Sequence, residues 1–352
     1  MSKNRALPIR RKGPLAVASV FVMLAASACG SSSESASKSS GCEPSGKIKS
    51  IAMLLPGKKT DPGFSGTGYS GLAAAAKKYC LKTAVVESAD VSTQAETYNS
   101  FAEQKFDLIV GWGGQFEDGA RDAAEKFPDT FFGVTNGVSS NDSNLASIDF
   151  AGEQWTFLTG YLAAKMSKSG QVAFIGGPCF DAVARYEHGF RDGAKYGDPD
   201  VKVSITALDS FDDPIEAGKA AKALISQGVD MIFPDLNSGQ EGVWAALRAA
   251  NKEGKGGPYL GFGTFTDQHE DAPDVIVTSA VRDLAELVGT LVDNANKGDF
   301  GQAIRVPLTA DYDALTPFHG LADEALLAEA KDVQAKIATG EIKVEANGNC
   351  PY

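Results

Sequence analysis

From Lys47 onward, short apolar runs alternate with longer amphipathic ones, and this alternation constrains the fold more than any other feature of the chain. Residues 48–55 (IKSIAMLL) read as a buried strand, and residues 69–79 (YSGLAAAAKKY), Ala-rich with one apolar stripe, read as a helix. A strand over 82–87, a helix over 92–103, a strand over 106–111, a helix over 116–127 and a strand over 130–134 follow. Strands separated by helices form βαβ units, whose crossovers make neighbouring strands parallel.

The pattern then restarts. A long helix over 152–168 leads into a strand over 171–175 that ends in Gly176-Gly177. Helices over 184–196, 214–227, 238–253 and 283–297 alternate with strands over 201–207, 231–234, 259–262 and 275–280, and the tail is helical over 323–339. Two α/β halves of similar size thus join near 149–153. The length of 352 residues exceeds one ordinary domain, and an apolar content of 43% is enough for each half to bury a core. Two doubly wound halves leave a cleft suited to a small ligand and to hinge closure. Ligands of such sheets bind beyond the carboxyl ends of the strands, which directs attention to loops 56–64, 111–115, 135–138, 176–181, 235–239 and 263–268.

The N-terminus carries Arg5, Arg10, Arg11 and Lys12, then the apolar run 15–24, then Ala25-Ala26-Ser27-Ala28-Cys29. The run is too short to anchor a bilayer span and small residues follow it, so residues 1–28 read as a cleaved signal peptide. Cys29 is the candidate for acylation, with plain cleavage beside an incidental cysteine as the alternative. Residues 29–46, Ser-rich and without apolar pattern, read as a flexible tether from a lipid to the folded part. Four further cysteines, Cys42, Cys80, Cys179 and Cys350, allow three pairings in an exported chain; Cys42–Cys80 is favoured because both open the first β/α unit. A net charge of −12 opposes nucleic-acid binding, which needs a basic face.

Enzyme motifs fail on inspection. Gly57-Lys58-Lys59-Thr60 lacks the upstream glycine of a phosphate loop, since Ala52 stands there, and Gly63-Phe64-Ser65-Gly66-Thr67 lacks the closing glycine of a nucleophile elbow. His188, His269 and His319 are isolated in sequence, and no Cys/His spacing suits a metal. No nucleophile, base and oxyanion stabiliser assemble, so the expectation is a binding protein without cofactor or metal rather than an enzyme.

The loops resemble those of a known family. Asp61-Pro62-Gly63-Phe64-Ser65 is similar to its Asp-x-x-Phe-Asn; Gly111-Trp112-Gly113 followed by Asp118, Ala123, Ala124 and Phe127-Pro128-Asp129 is similar to its third β/α unit. Residues 171–177 (QVAFIGG), then Tyr186-Glu187 and residues 189–194 (GFRDGA), are the most family-like stretch. Asp267-Gln268, Ala272-Pro273 and residues 278–282 (TSAVR) complete the order. The family is the BMP, or PnrA-like, substrate-binding lipoproteins of ABC transporters, and the resemblance covers nearly all of residues 48–320.

The resemblance implies a type I periplasmic-binding-protein fold, with residues 47–149 plus about 279–306 in one lobe and 150–278 plus about 307–352 in the other. It implies a monomer, lipid-anchored on the extracytoplasmic face of the cell membrane, that passes a small polar ligand to an ABC permease. Relatives bind purine nucleosides, with the base between aromatic rings and the ribose hydroxyls on carboxylates. Carried over by position, Asp61, Phe64, Asp267 and Arg282 are the first site candidates; Ser65, Trp112, Asn136, Phe180, Asp235 and Asn237 join them, and Phe116 is a further candidate ring. Ser65, Asn136 and Arg282 stand where Asn, Asp and Lys are usual, so another nucleobase, a sugar or another solute is an open alternative. A ligand sensor and, less favoured, an exported nucleoside-processing enzyme are the other readings.

Overall fold

The computed structural model describes residues 42–61, 63–254 and 256–350. The signal peptide, the Cys29 lipidation site and most of the tether lie outside the described residues.

The first half folds as the alternation predicts. Strands β1 (Ser50–Leu54), β2 (Lys82–Val86), β3 (Leu108–Trp112) and β4 (Phe131–Thr135) alternate with helices α1 (Phe64–Tyr79), α2 (Gln94–Glu103) and α3 (Glu117–Lys126). Helix α1 starts five residues before the Ala-rich stretch, because the Asp61 carboxylate accepts from the N–H groups of Gly63 and Ser65 and satisfies its open end. A further strand, β5 (Leu145–Phe150), was not expected from sequence. Its LASIDF stretch mixes polar with apolar residues and follows a polar loop, yet all six residues are buried, because β5 lies inside the sheet.

The second half contains α4 (Gly152–Met166), β6 (Gln171–Gly176), α5 (Asp181–Gly197), β7 (Lys202–Ala207) and α6 (Pro214–Ser226). Then come β8 (Met231–Asp235), α7 (Gln240–Glu253), β9 (Leu260–Phe265) and β10 (Ile276–Val281). Helix α6 opens on Asp213, whose side chain accepts from Ile215 and Glu216 N–H, with Pro214 in its first turn. Helices α4 and α5 cross closely: a Cβ on Gly193 would collide with the carbonyl of Phe157.

The last segments return to both halves. Helix α8 (Ala285–Lys297) packs on α1, where Gly71 admits the backbone of Ala285, and β11 (Ala303–Val306) pairs with β5. Helix α9 (Glu324–Ala338) packs on α4. The result is two parallel sheets, ordered β11-β5-β4-β3-β1-β2 and β10-β9-β8-β6-β7. The chain passes between them after Phe150, after Val281 and after Val306. Ser279 to Val281 remain in the second sheet, so the second crossing falls after β10 and not at about residue 279. Disulfides join Cys42 to Cys80 and Cys179 to Cys350. No helix of the described residues is long and apolar enough to cross a membrane.

Candidate functional site

The carboxyl ends of both sheets converge on one cleft. On the first lobe its wall is formed by Pro56 after β1, Phe64 at the start of α1, Gln115 after β3 and Asn136 after β4. On the second lobe it is formed by Phe180, Ala182, Val183 and Tyr186 around the start of α5, Phe211 before α6, residues 235–237 at the end of β8, and Phe265 at the end of β9.

Four phenylalanines dominate. The Phe64 ring lies 5.3 Å from the Phe265 ring, and Phe180 meets Phe211 edge-on at 6.2 Å. Phe64 is held from behind by Trp112, whose indole Nε1 donates to the Phe64 carbonyl at 2.8 Å and whose ring lies 5.4 Å away. Phe265 has φ +67°, a left-handed backbone rarely adopted by a bulky side chain, and such positions gather at binding sites. Asn136 shares that conformation at φ +56° and keeps its place through an N–H donated to the Ile148 carbonyl.

The polar groups are few and under-satisfied. Asp235, the last residue of β8, is 4% exposed; burial pushes its carboxyl up to about 6, while the Arg282 charge draws it back in part. Arg282 is buried between the rings of Tyr186 and Phe265, its guanidinium carbon 4.9 and 4.6 Å from their centres. Its Nη2 reaches Thr264 Oγ1 at 3.5 Å, and its Nε and Nη1 are buried without an acceptor. Asn136 Oδ1 and Gln115 Oε1 are buried without a donor. Asn237 donates from Nδ2 to Asp212 at 3.4 Å.

Of the residues expected from sequence, Phe64, Asn136, Phe180, Asp235 and Asn237 line this cleft together, and Arg282 stands directly behind two of its rings. Three others serve the wall from outside it. Asp61 caps α1, with a carboxyl raised chiefly by burial and opposed by its two backbone hydrogen bonds. Ser65 is fully buried and accepts from Gly57 N–H at 3.0 Å, tying the loop after β1 to α1. Trp112 supports Phe64. Asp267 is not in the wall: it is exposed and accepts from His269 N–H at 3.1 Å, capping a turn, while the adjacent Gln268 points inward and accepts from Thr264 N–H. Phe116 belongs to the first lobe's core.

Gln115, Tyr186, Phe211 and Phe265 were not singled out from sequence as ligand contacts. Phe211 follows β7, a strand end that the carboxyl-end rule would have flagged. Phe265 lies within the flagged loop 263–268, where Asp267 was preferred to it; β9 runs three residues past its expected end at 262 and carries Phe265 as its last residue. Between the lobes, Arg185 of α5 donates to Asp149 of β5 at 2.7 Å, and Glu153 accepts from Arg305 at 2.6 Å; within α5, Arg185 also donates to Asp181 at 2.6 Å. Among the described residues no cluster of three or more His, Cys, Asp and Glu could hold a metal ion.

A cleft of aromatic walls with a few buried polar groups is a site for binding a small organic molecule. Comparison with known proteins agrees. The family described as ABC transporter substrate-binding protein PnrA-like matches residues 48–348. Basic membrane protein A of Borreliella burgdorferi is 28% identical over 308 residues, covering 86% of this chain and 89% of that protein. The ABC transporter nucleoside-binding protein BmpA of Lactococcus lactis is 26% identical over 304 residues, covering 82% of this chain and 86% of that one. A solute-binding protein of an ABC transporter system from Aeropyrum pernix K1 shares the fold, with a TM-score of 0.75 at 18% identity over 86% of this chain and 94% of that chain.

Proposed function

Because the chain belongs to the PnrA-like family of ABC transporter substrate-binding proteins, we propose that it captures a nucleoside outside the cytoplasm and delivers it to an ABC permease. The cleft itself carries the proposal. Phe64, Phe180, Phe211 and Phe265 offer stacking faces for a planar base, and Asp235, Asn136 and Arg282 offer polar contacts for its edge and for ribose hydroxyls. The nucleoside-binding relative from Lactococcus lactis supports the ligand class. Phe64, Asn136, Phe180, Asp235, Asn237 and Arg282 are the proposed contacts; Asp61, Ser65 and Trp112 hold the first-lobe wall, and Asp267 caps the turn after β9.

In this reading the ligand closes the cleft between lobes 47–150 and 283–306 on one side and 151–282 and 307–350 on the other. A monomer is then tethered to the cell membrane by lipid on Cys29 after removal of residues 1–28, and it binds without catalysing a reaction. A thermal-shift screen tests the ligand class, using purine and pyrimidine nucleosides, free bases, pentoses and hexoses. A ligand at about 100 times its dissociation constant adds roughly 2.7 kcal/mol to stability. The proposal expects nucleosides to raise the melting temperature. A shift with a sugar and none with any nucleoside contradicts it.

A further inference from the structure

Asp149 and Arg305 stand side by side on the first lobe, as register partners of the neighbouring strands β5 and β11. Each is the last residue but one of its strand, just before the chain crosses to the second lobe. The second lobe faces them with the opposite order of charge. Arg185 Nη1 donates to Asp149 Oδ2 at 2.7 Å, and the two oxygens of Glu153 accept from Arg305 Nη2 at 2.6 and 2.7 Å. A contact of 3.5 Å from Arg185 to Glu153 joins the two pairs into one network. Acid meets base and base meets acid across the lobe boundary, so the four charges cancel. Asp149, Glu153 and Arg185 are buried, and Arg305 is partly exposed.

Both charged faces are rigid. The β5–β11 ladder fixes Asp149 against Arg305. Helices α4 and α5, which carry Glu153 and Arg185, are locked together where Gly189 lies on the Glu153 carbonyl: a Cβ there would come within 2.2 Å of that oxygen. Rigid faces meet or part as units when lobes rotate about a hinge. All four residues lie outside the cleft wall, and their link to it is Tyr186, a wall residue whose hydroxyl reaches Asp149 at 3.5 Å. Arg185 also has a partner within its own lobe, since Asp181 accepts from its Nε at 2.6 Å and is itself partly exposed. When the lobes part, Arg185 keeps Asp181 and water reaches the other three. In the closed protein each charge depends on its counterpart across the boundary.

Resting on the reading that the ligand is captured by closure of the cleft, we propose that Asp149, Arg305, Glu153 and Arg185 form a latch that holds the two lobes closed, with or without a ligand. Residues that touch no ligand then set how tightly and how long it is held. Apparent affinity scales with the fraction of protein in the binding-competent form. Neutralising one member strands its partner in the closed form alone, where water does not reach it, and so shifts the protein toward the open form. The four are positioning residues: they act on the ligand through the angle between the lobes.

Two measurements on the whole chain test this, for the wild-type protein and for Asp149→Asn, Arg305→Gln and Arg305→Lys. Small-angle X-ray scattering without ligand reads the separation of the lobes, which a merely structural role would not move in a folded variant. Stopped-flow fluorescence reads the dissociation of adenosine and of inosine. The expected result is a larger radius of gyration in Asp149→Asn and Arg305→Gln, with roughly tenfold faster dissociation. Arg305→Lys is expected to match the wild type in both, because it keeps a cation facing Glu153. A cooperative melt certifies the fold of each variant, and the partly exposed Arg305 carries the test if Asp149→Asn does not fold. A radius in Arg305→Gln equal to that of the wild type overturns the latch, and so does an equal change in Arg305→Gln and Arg305→Lys. The scattering needs no ligand: failure of the wild-type protein to bind either nucleoside contradicts the nucleoside reading, while the radii still decide the latch.

Discussion

The ring of Phe64 lies 5.3 Å from the ring of Phe265, and the contact spans the cleft. Phe64 opens α1 of the first lobe and Phe265 closes β9 of the second, so the two walls meet through aromatic faces. A planar ligand that enters here exchanges ring–ring contact for ring–ligand contact. Base stacking on an aromatic ring contributes about 1–3 kcal/mol. Phe64→Ala is therefore expected to weaken nucleoside binding by roughly 5- to 150-fold in calorimetric titration. Unaltered affinity would remove Phe64 from the ligand's path.

Asp235 destabilises the empty protein at neutral pH. Its carboxyl titrates at about 6 in the fold against an ordinary value of 3.8, so the folded state binds the extra proton. Its contribution is fully favourable below the unfolded value and is lost as pH rises through 6. Asp235→Asn removes that penalty. Urea unfolding without ligand is expected to show the variant more stable at pH 8, by at most about 3 kcal/mol, and the gain should vanish near pH 4. A variant less stable than the wild type at pH 8 would contradict the burial account.

Arg185 bridges the lobes. It is 2% exposed, as is its partner Asp149, and Glu153 lies within 3.5 Å. Burial raises the Asp149 carboxyl even with Arg185 beside it. Arg185→Met leaves this carboxylate buried and uncompensated, which costs about 3–5 kcal/mol. A raised acid loses stability as pH rises, so the defect is expected to deepen from pH 5 to pH 8 in denaturant titrations. A loss independent of pH would point to packing instead.

The Cys179–Cys350 disulfide fastens the end of the chain beside Phe180 in the cleft wall. It closes a span of 171 residues, and removing such a link costs about 2–5 kcal/mol. Cys350→Ser is expected to lower the melting temperature and also to weaken ligand binding, because Phe180 loses its anchor. Cys80→Ser breaks the bridge to Cys42, remote from the cleft, and is expected to lower stability with affinity intact. Equal affinity in both variants would show that the Phe180 loop is held without its disulfide.

The architecture was legible in the sequence because hydrophobic periodicity reports it directly. Strand β5 escaped because Ser147 and Asp149 break its apolar run, and their burial is decided by partners distant in sequence: β11 beside the strand and Arg185 across the lobes. The candidate site was legible where the carboxyl-end rule and residue type agreed, as at Asn136, Phe180 and Asp235. It misled at Asp267, where sequence could not tell which of two adjacent polar residues faces inward; hydrogen bonds from Thr264 to Gln268 and from Gln268 to Ser279 decide it. The place of Arg282 between two rings depends on α5 and β9 meeting, and no local pattern encodes that.

The most direct test of the central claim is native mass spectrometry of the protein incubated with an equimolar mixture of nucleosides, free bases, pentoses and hexoses. The account predicts a single adduct, one nucleoside per chain, that survives desalting and disappears in Phe64→Ala. An adduct of sugar mass alone, or no adduct at any concentration tried, would contradict it.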